Sequence, residues 1–292
     1  MKILITGGAG YLGSKLALAL RGAGHEVEIF DLPKNILNAN ELGWAIEGKD
    51  IVYHLAALAE LIYTDAHPQQ TFEVNIVGLN NVARLCAEHK VVLEFASTCC
   101  IYGNPLEYPS VEDSLVNPSD TYAMTKAAGE SIVKMWGLSQ GLKYNILRFG
   151  TIYGQSVDGT MRGDMCIQRF LRAALNGEEI TVDGSGKQSR NFVHIDDLVR
   201  GLVLLAEKKP VNQTFNLAGS ESISVNDIAE YALEFGASGI IRRPIRKDDF
   251  NDQDVSLSKA WAILGWKPEI LFSDGIRNFF TWLQQNNASK RP

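Results

Sequence analysis

Cysteine is scarce, with four in 292 residues: Cys86, Cys99, Cys100 and Cys166. They lack the spaced pairs of a metal site, so neither a disulfide framework nor a metal centre is expected. A surplus of basic charge is also missing. Lys and Arg number 28 against 34 Asp and Glu, a formal net charge of -6. That argues against nucleic acid as a partner, because phosphate binding needs a basic face. No apolar run approaches the roughly 18 residues that span a bilayer, so no membrane contact is expected. Residues 1–6, MKILIT, lack the long apolar core and cleavage site of a signal peptide. A soluble, cytoplasmic protein is the expectation. There is no internal repeat or low-complexity tract. With 46% hydrophobic and 21% charged residues, the chain can bury an ordinary globular core.

What is present is alternation. Short apolar runs at 2–5, 27–30, 51–55, 91–95 and 145–149 read as buried strands. Helical patterns at 12–20, 68–89 and 121–138 lie between them. Strand–helix alternation implies an α/β fold, a doubly wound parallel sheet covered on both faces. Ligands of such sheets bind beyond the carboxyl ends of the strands. The stretch 31–50 is short, and a complete helix before a complete third strand hardly fits. After Gly150 the pattern loosens, and from Gly219 short helices mix with charged loops. Trp261, Leu264 and Trp266 read as packing residues, and Asp196-Asp197 as a helix cap.

Between the first strand and first helix runs Thr6-Gly7-Gly8-Ala9-Gly10-Tyr11-Leu12-Gly13. Glycines there allow a tight turn and close approach of a pyrophosphate to backbone N–H groups at a helix N-terminus. Asp31 follows Gly13 by 18 residues, at the end of the second strand. A carboxylate there accepts from both ribose hydroxyls and repels a 2′-phosphate, which favours NAD over NADP. The plainer reading is a glycine turn followed by a solvated aspartate.

Tyr122 and Lys126 stand four apart on the 121–138 helix, one turn apart on one face. Lowering a phenol from its usual pKa by about 3 units takes about 4 kcal/mol, which a nearby ammonium helps to supply. Alone, such a pair is usually a solvated helix face. Ser97-Thr98 ends the preceding strand, placing Thr98 where it can bond the same substrate oxygen.

The chain resembles the extended short-chain dehydrogenase/reductase family, in its NAD-dependent nucleotide-sugar epimerase/dehydratase branch. The resemblance covers nearly the whole chain: Gly7 to Gly13, Asp31, His54-Leu55-Ala56-Ala57, Asn75, Thr98, Tyr102-Gly103, Tyr122 with Lys126, Leu147 to Gly154, and Arg190 to Asp197. It implies a Rossmann-type core over 1–155 and 187–218, and a smaller, discontinuous substrate lobe over 156–186 and 219–292. It implies that Gly7, Gly10, Tyr11, Leu12 and Gly13 hold the pyrophosphate. Asp31 would hold the adenosine ribose, with Leu32 and Asn38 toward adenine. Leu55, Ala56, Ala57, Asn75 and Phe149 would line the cofactor, Asn75 reading equally as a residue that orders a buried loop, and Tyr122 and Lys126 would contact the nicotinamide ribose. Thr98, Tyr122 and Lys126 would be catalytic. Thr98, Thr151, Arg162, Arg190 and Arg246 would bind a nucleotide sugar, guanidinium forks suiting its phosphates. His54 and His194 read as structural. A homodimer through the 68–89 and 121–138 helices is the family expectation.

Two departures narrow the chemistry. In the 4,6-dehydratases the two positions after the threonine are Asp and Glu, and related decarboxylases carry Glu at the second. Here both are cysteine, Cys99 and Cys100. A nucleotide-sugar 4-epimerase is therefore the first expectation, acting on UDP-glucose or UDP-galactose. Cys100 coincides with an acid/base cysteine of 3,5-epimerases, which makes that activity an alternative, as is 4-keto-sugar reduction. Its plainer reading is a small buried hydrophobe. Outside enzymes, a dinucleotide-sensing scaffold is the alternative, and retention of Tyr122 and Lys126 argues against it.

Overall fold

The computed structural model describes residues 1–157, 165–244 and 252–288. Its strands are β1 (Lys2–Thr6), β2 (Glu26–Phe30), β3 (Ile51–His54), β4 (Val92–Thr98), β5 (Tyr144–Phe149), β6 (Thr151–Tyr153), β7 (Glu179–Asp183), β8 (Ser189–His194), β9 (Gln213–Leu217), β10 (Ser222–Ser224) and β11 (Gly239–Arg243). The α-helices are α1 (Tyr11–Gly22), α2 (Ala39–Ile46), α3 (Leu61–Ala66), α4 (Pro68–Phe72), α5 (Leu79–His89), α6 (Thr121–Gln140), α7 (Cys166–Asn176), α8 (Ile195–Lys208), α9 (Val225–Glu234), α10 (Ser258–Leu264) and α11 (Phe272–Ala288). A π turn over Glu73–Gly78 joins α4 to α5.

Six strands form one parallel sheet in the order β2-β1-β3-β4-β5-β9. β3 is buried at all four positions, as a strand covered on both faces must be. On one face α1 buries Gly13, Leu16, Ala17 and Leu20, the spacing of one helical stripe, beside Leu198, Leu202 and Leu205 of α8. The other face is covered by α2, α5 and α6 through Leu42, Val82, Leu85 and Val133. Gly129 lets α6 lie directly on β4, since a Cβ there would come within 2.8 Å of the Phe95 ring. Asp120 caps α6 by accepting from the Ala123 N–H at 2.7 Å, and Gly141 ends it in the left-handed region. A third core of Phe170, Ile228, Ile276 and Phe279 unites α7, α9 and α11 with the pair β11–β7. The small sheet β10–β8–β6 stands beside it.

Three expectations are corrected. The 31–50 stretch does hold a helix: α2 fits because it has only 8 residues, capped by Asn38 accepting from the Glu41 N–H. The chain after Gly219 includes a 17-residue helix, α11. Trp266 and Leu264 are buried, but Trp261 is 56% exposed.

Candidate active site

The first five strands of the chain finish at the same sheet edge, and the sequence places chemistry just beyond each. After β1, Gly7 takes a φ of +73°, and a Cβ on it would lie 2.7 Å from the Ala56 nitrogen. A Cβ on Gly13 would strike the Gly7 carbonyl. Both glycines are required by close approach of backbones. Gly10 opens α1 with no side-chain cap, and the first turn carries no acid. Tyr11 and Leu12 follow it in that turn, a helix end suited to an anion. The Tyr11 hydroxyl donates to the Gly154 carbonyl at 2.7 Å.

After β2, the Asp31 carboxylate turns back to the glycine turn. It accepts from the Ala9 N–H and the Leu32 N–H, each at 2.8 Å. Leu32 is 82% exposed, and Asn38 is occupied as the α2 cap. After β3, the Leu55 N–H donates to the Thr6 carbonyl at 3.0 Å, which sets Leu55 and Ala56 beside Gly7, with Ala57 next in the chain. Asn75 is buried and clamps this loop. Its side chain accepts from the Leu58 N–H and donates to the Leu58 carbonyl, both at 2.9 Å, and donates to Thr125 Oγ1 at 3.1 Å. His54 Nδ1 meets Thr6 Oγ1 at 2.7 Å. Burial, with Lys126 alongside, pushes its imidazole down to about 3, so it is a neutral packing residue.

Thr98 ends β4 opposite Phe149 of β5, and Thr151 opens β6 two residues later. Thr98 Oγ1 accepts from the Cys100 N–H at 3.2 Å. On α6, Lys126 is buried and donates to the Ala96 carbonyl at 2.8 Å. Its Nζ lies 5.8 Å from the centre of the half-buried Tyr122 ring. Arg190 donates to the Ser189 carbonyl at 2.8 Å. Burial raises the Cys100 thiol above its usual range, although the Thr98 hydrogen bond and the Arg190 charge oppose it. A raised pKa disfavours the thiolate that proton abstraction needs. Arg162 and Arg246 lie outside the described residues.

The α8 cap is not the aspartate pair. His194 caps the helix by accepting from the Asp196 N–H, and the two aspartates sit in the first turn. Acidic charge there meets the positive helix end. Asp197 also accepts from the Glu269 and Ile270 N–H groups.

The profile of the NAD dependent epimerase/dehydratase family matches residues 3–218. The chain belongs to this family. It is 29% identical to a putative UDP-glucose 4-epimerase of Methanocaldococcus jannaschii, over 98% of this chain and 100% of that protein. It is 27% identical to a UDP-N-acetyl-alpha-D-glucosaminuronate decarboxylase of Bacillus cytotoxicus, over 97% and 98%. Among solved structures, the UDP-glucuronic acid 4-epimerase of Bacillus cereus, in complex with UDP-glucuronic acid and NAD, superposes with a TM-score of 0.90. Identity there is 27%, over 98% of this chain and 100% of that one.

As a member of an NAD-dependent epimerase/dehydratase family, the chain is an enzyme whose cofactor is NAD. The residues present fit it. The glycine cradle admits no Cβ at Gly7 or Gly13, the α1 end carries no acid, and one carboxylate, Asp31, is fixed beside the turn.

The sequence reading passed over Glu130. It stands four residues beyond Lys126 and eight beyond Tyr122, on the same face of α6. Its carboxylate receives both arms of Arg148, Nε at 2.9 Å and Nη2 at 2.7 Å, and the Ser97 hydroxyl at 2.7 Å. The i, i+4, i+8 spacing was the signal that could have found it. Among the described residues no group of three His, Cys, Asp or Glu is placed to hold a metal ion. No helix among them is long and apolar enough to cross a membrane.

Proposed function

We propose that the protein is a nucleotide-sugar 4-epimerase acting through a transient 4-keto sugar, with UDP-glucose or UDP-galactose as the first substrates to try. One observation carries the reading. Lys126 of α6, one turn from Tyr122, is bonded to Ala96 of the strand that Thr98 ends, while positions 99 and 100 offer thiols in place of carboxylates.

In this reading NAD, held by the glycine turn, would supply the hydride acceptor and donor for sugar C4. Tyr122 removes the 4-hydroxyl proton and later gives it back. Lys126 favours the phenolate by its charge, and its bond to the Ala96 carbonyl fixes where that charge sits. Thr98 holds the sugar oxygen against the phenol. Gly7, Gly10, Tyr11, Leu12 and Gly13 would hold the pyrophosphate, and Asp31 the adenosine ribose. Leu32 and Asn38 would lie toward adenine, and Leu55, Ala56, Ala57, Asn75 and Phe149 along the cofactor. Arg190 and Thr151, with Arg162 and Arg246, would bind the substrate. A decarboxylase reading draws on the Bacillus cytotoxicus relative. Cys100 opposes it, standing where the decarboxylases have a glutamate. The raised thiol at Cys100 equally opposes a 3,5-epimerase. A homodimer through the 68–89 stretch, α4 to α5, and α6 belongs to the same proposal.

The test incubates the enzyme and NAD with UDP-glucose, UDP-galactose, UDP-glucuronate and other nucleotide sugars, and analyses products. Inversion at C4 without release of carbon dioxide is expected. Carbon dioxide release from a uronate, or no inversion across the panel, would contradict the reading.

A further inference from the structure

A charged cluster lies behind the reacting face of α6. Glu130 and Arg148 are each 2% exposed. Beyond its fork to Glu130, Arg148 donates through Nη1 to the Tyr102 hydroxyl at 2.8 Å and to the Glu112 carbonyl at 2.7 Å. The Tyr102 hydroxyl donates to Asn216 Oδ1 at 2.8 Å, reaching β9. Burial works against the guanidinium charge, but the hydrogen bonds and charge of Glu130 outweigh it, and Arg148 stays protonated. The carboxylate thereby ties α6 to Ser97, the neighbour of Thr98, and to Arg148, which pairs with Ser97 across β4 and β5. Ion pairs this deeply buried add little net stability compared with an apolar pair, so a role other than stability is worth seeking.

We propose that the Glu130–Arg148 pair is a positioning and charge-balancing device for Tyr122, holding α6 in register with the end of β4 and cancelling the arginine charge behind the phenol. This rests on the reading of Tyr122 as the proton-transfer group. The groups facing the pair are Lys134 on α6, Tyr102, Cys99 and Glu112. Lys126 stands beside the Tyr122 ring on its own helix, Asp120 caps that helix with Asp65 of α3 bonded to the Thr121 N–H, and the Asp120 and Arg190 charges both reach Cys100. Glu130 is eight residues from Tyr122, about 12 Å along the helix axis. At that distance and an effective dielectric constant near 20, one unit charge moves a titration by about one pH unit.

The test is Glu130→Gln, which removes the negative charge and leaves Arg148 unmatched. Excess positive charge favours the phenolate, so the acid limb of the kcat–pH profile moves down by about one pH unit. The ionisation of the phenol itself follows without substrate or cofactor, as the ultraviolet absorbance change that Tyr122→Phe abolishes. The double variant Glu130→Gln with Arg148→Met removes both charges and returns the limb to the wild-type pH. A folded Glu130→Gln protein with an unmoved limb and unmoved phenol titration overturns the proposal. If that variant does not fold, Glu130→Asp and the double variant, which both keep the net charge, must hold the wild-type limb, and movement in either overturns it. Full activity in Tyr122→Phe would instead sink the underlying reading, and the cofactor-free phenol titration keeps the two failures apart.

Discussion

The two halves of β4 each meet a buried glutamate, and the fold treats them in opposite ways. Toward the carboxyl end, Glu130 of α6 reaches Ser97 and receives the full fork of Arg148. Toward the amino end, Glu94 accepts from the Asn145 amide at 2.9 Å, and among the described residues its second oxygen has no partner. Burial pushes the Glu94 carboxyl up to about 8, with the Asn145 bond pulling back only in part, so Glu94 is mostly neutral at pH 7. A carboxyl taken out of water keeps its charge only where a matched cation is built beside it. This fold builds one at the end where Lys126, one turn before Glu130, is bonded to β4.

The contrast is broken most easily by activity. Tyr122→Phe is expected to lower turnover by about 10²–10⁴-fold, the usual worth of positioned proton transfer. Glu94→Gln should leave turnover within about twofold. Steady-state rates on an accepted nucleotide sugar check both, and equal losses would erase the distinction between the two ends.

Stability sharpens it next. Arg148→Met strands the Glu130 carboxylate and should cost about 3–5 kcal/mol in urea unfolding. Glu94→Gln removes no ion pair and should cost far less at pH 7.

Per pH unit, the smallest effect is in the pH dependence of that stability. The Glu94 pKa is raised from 4.5 to about 8 in the fold. Between those values the folded state keeps a proton that the unfolded chain has released. Wild-type stability therefore declines relative to Glu94→Gln as pH rises through that window, by at most about 1.4 kcal/mol per pH unit, and the decline levels off above about 8. Urea midpoints of both proteins from pH 5 to 9 read it directly. A difference independent of pH would mean that Glu94 is charged throughout.

Much of the carboxyl end was legible in the sequence because its demands are local. The glycine turn needs its glycines within seven consecutive residues, and Tyr122 meets Lys126 by one turn of a single helix. The strands announced themselves as apolar runs. What escaped depends on partners far apart in the chain. Glu130 acquires meaning only when β5 brings Arg148 beside it. The α2 helix was missed because eight residues with a side-chain cap make two turns where the spacing alone suggested a loop. His194 took the cap from the neighbouring aspartates because its ring nitrogen, held by the surrounding core, already faces the Asp196 N–H.

The central claim is that the Tyr122 site moves a hydride off sugar C4 and back to the other face. A nucleotide sugar labelled with deuterium at C4, turned over in ordinary water and followed by NMR, tests this in one measurement. The product should show inverted C4 with the deuterium still attached there. Loss of the label to solvent, or unchanged configuration at C4 in every sugar tried, would contradict it.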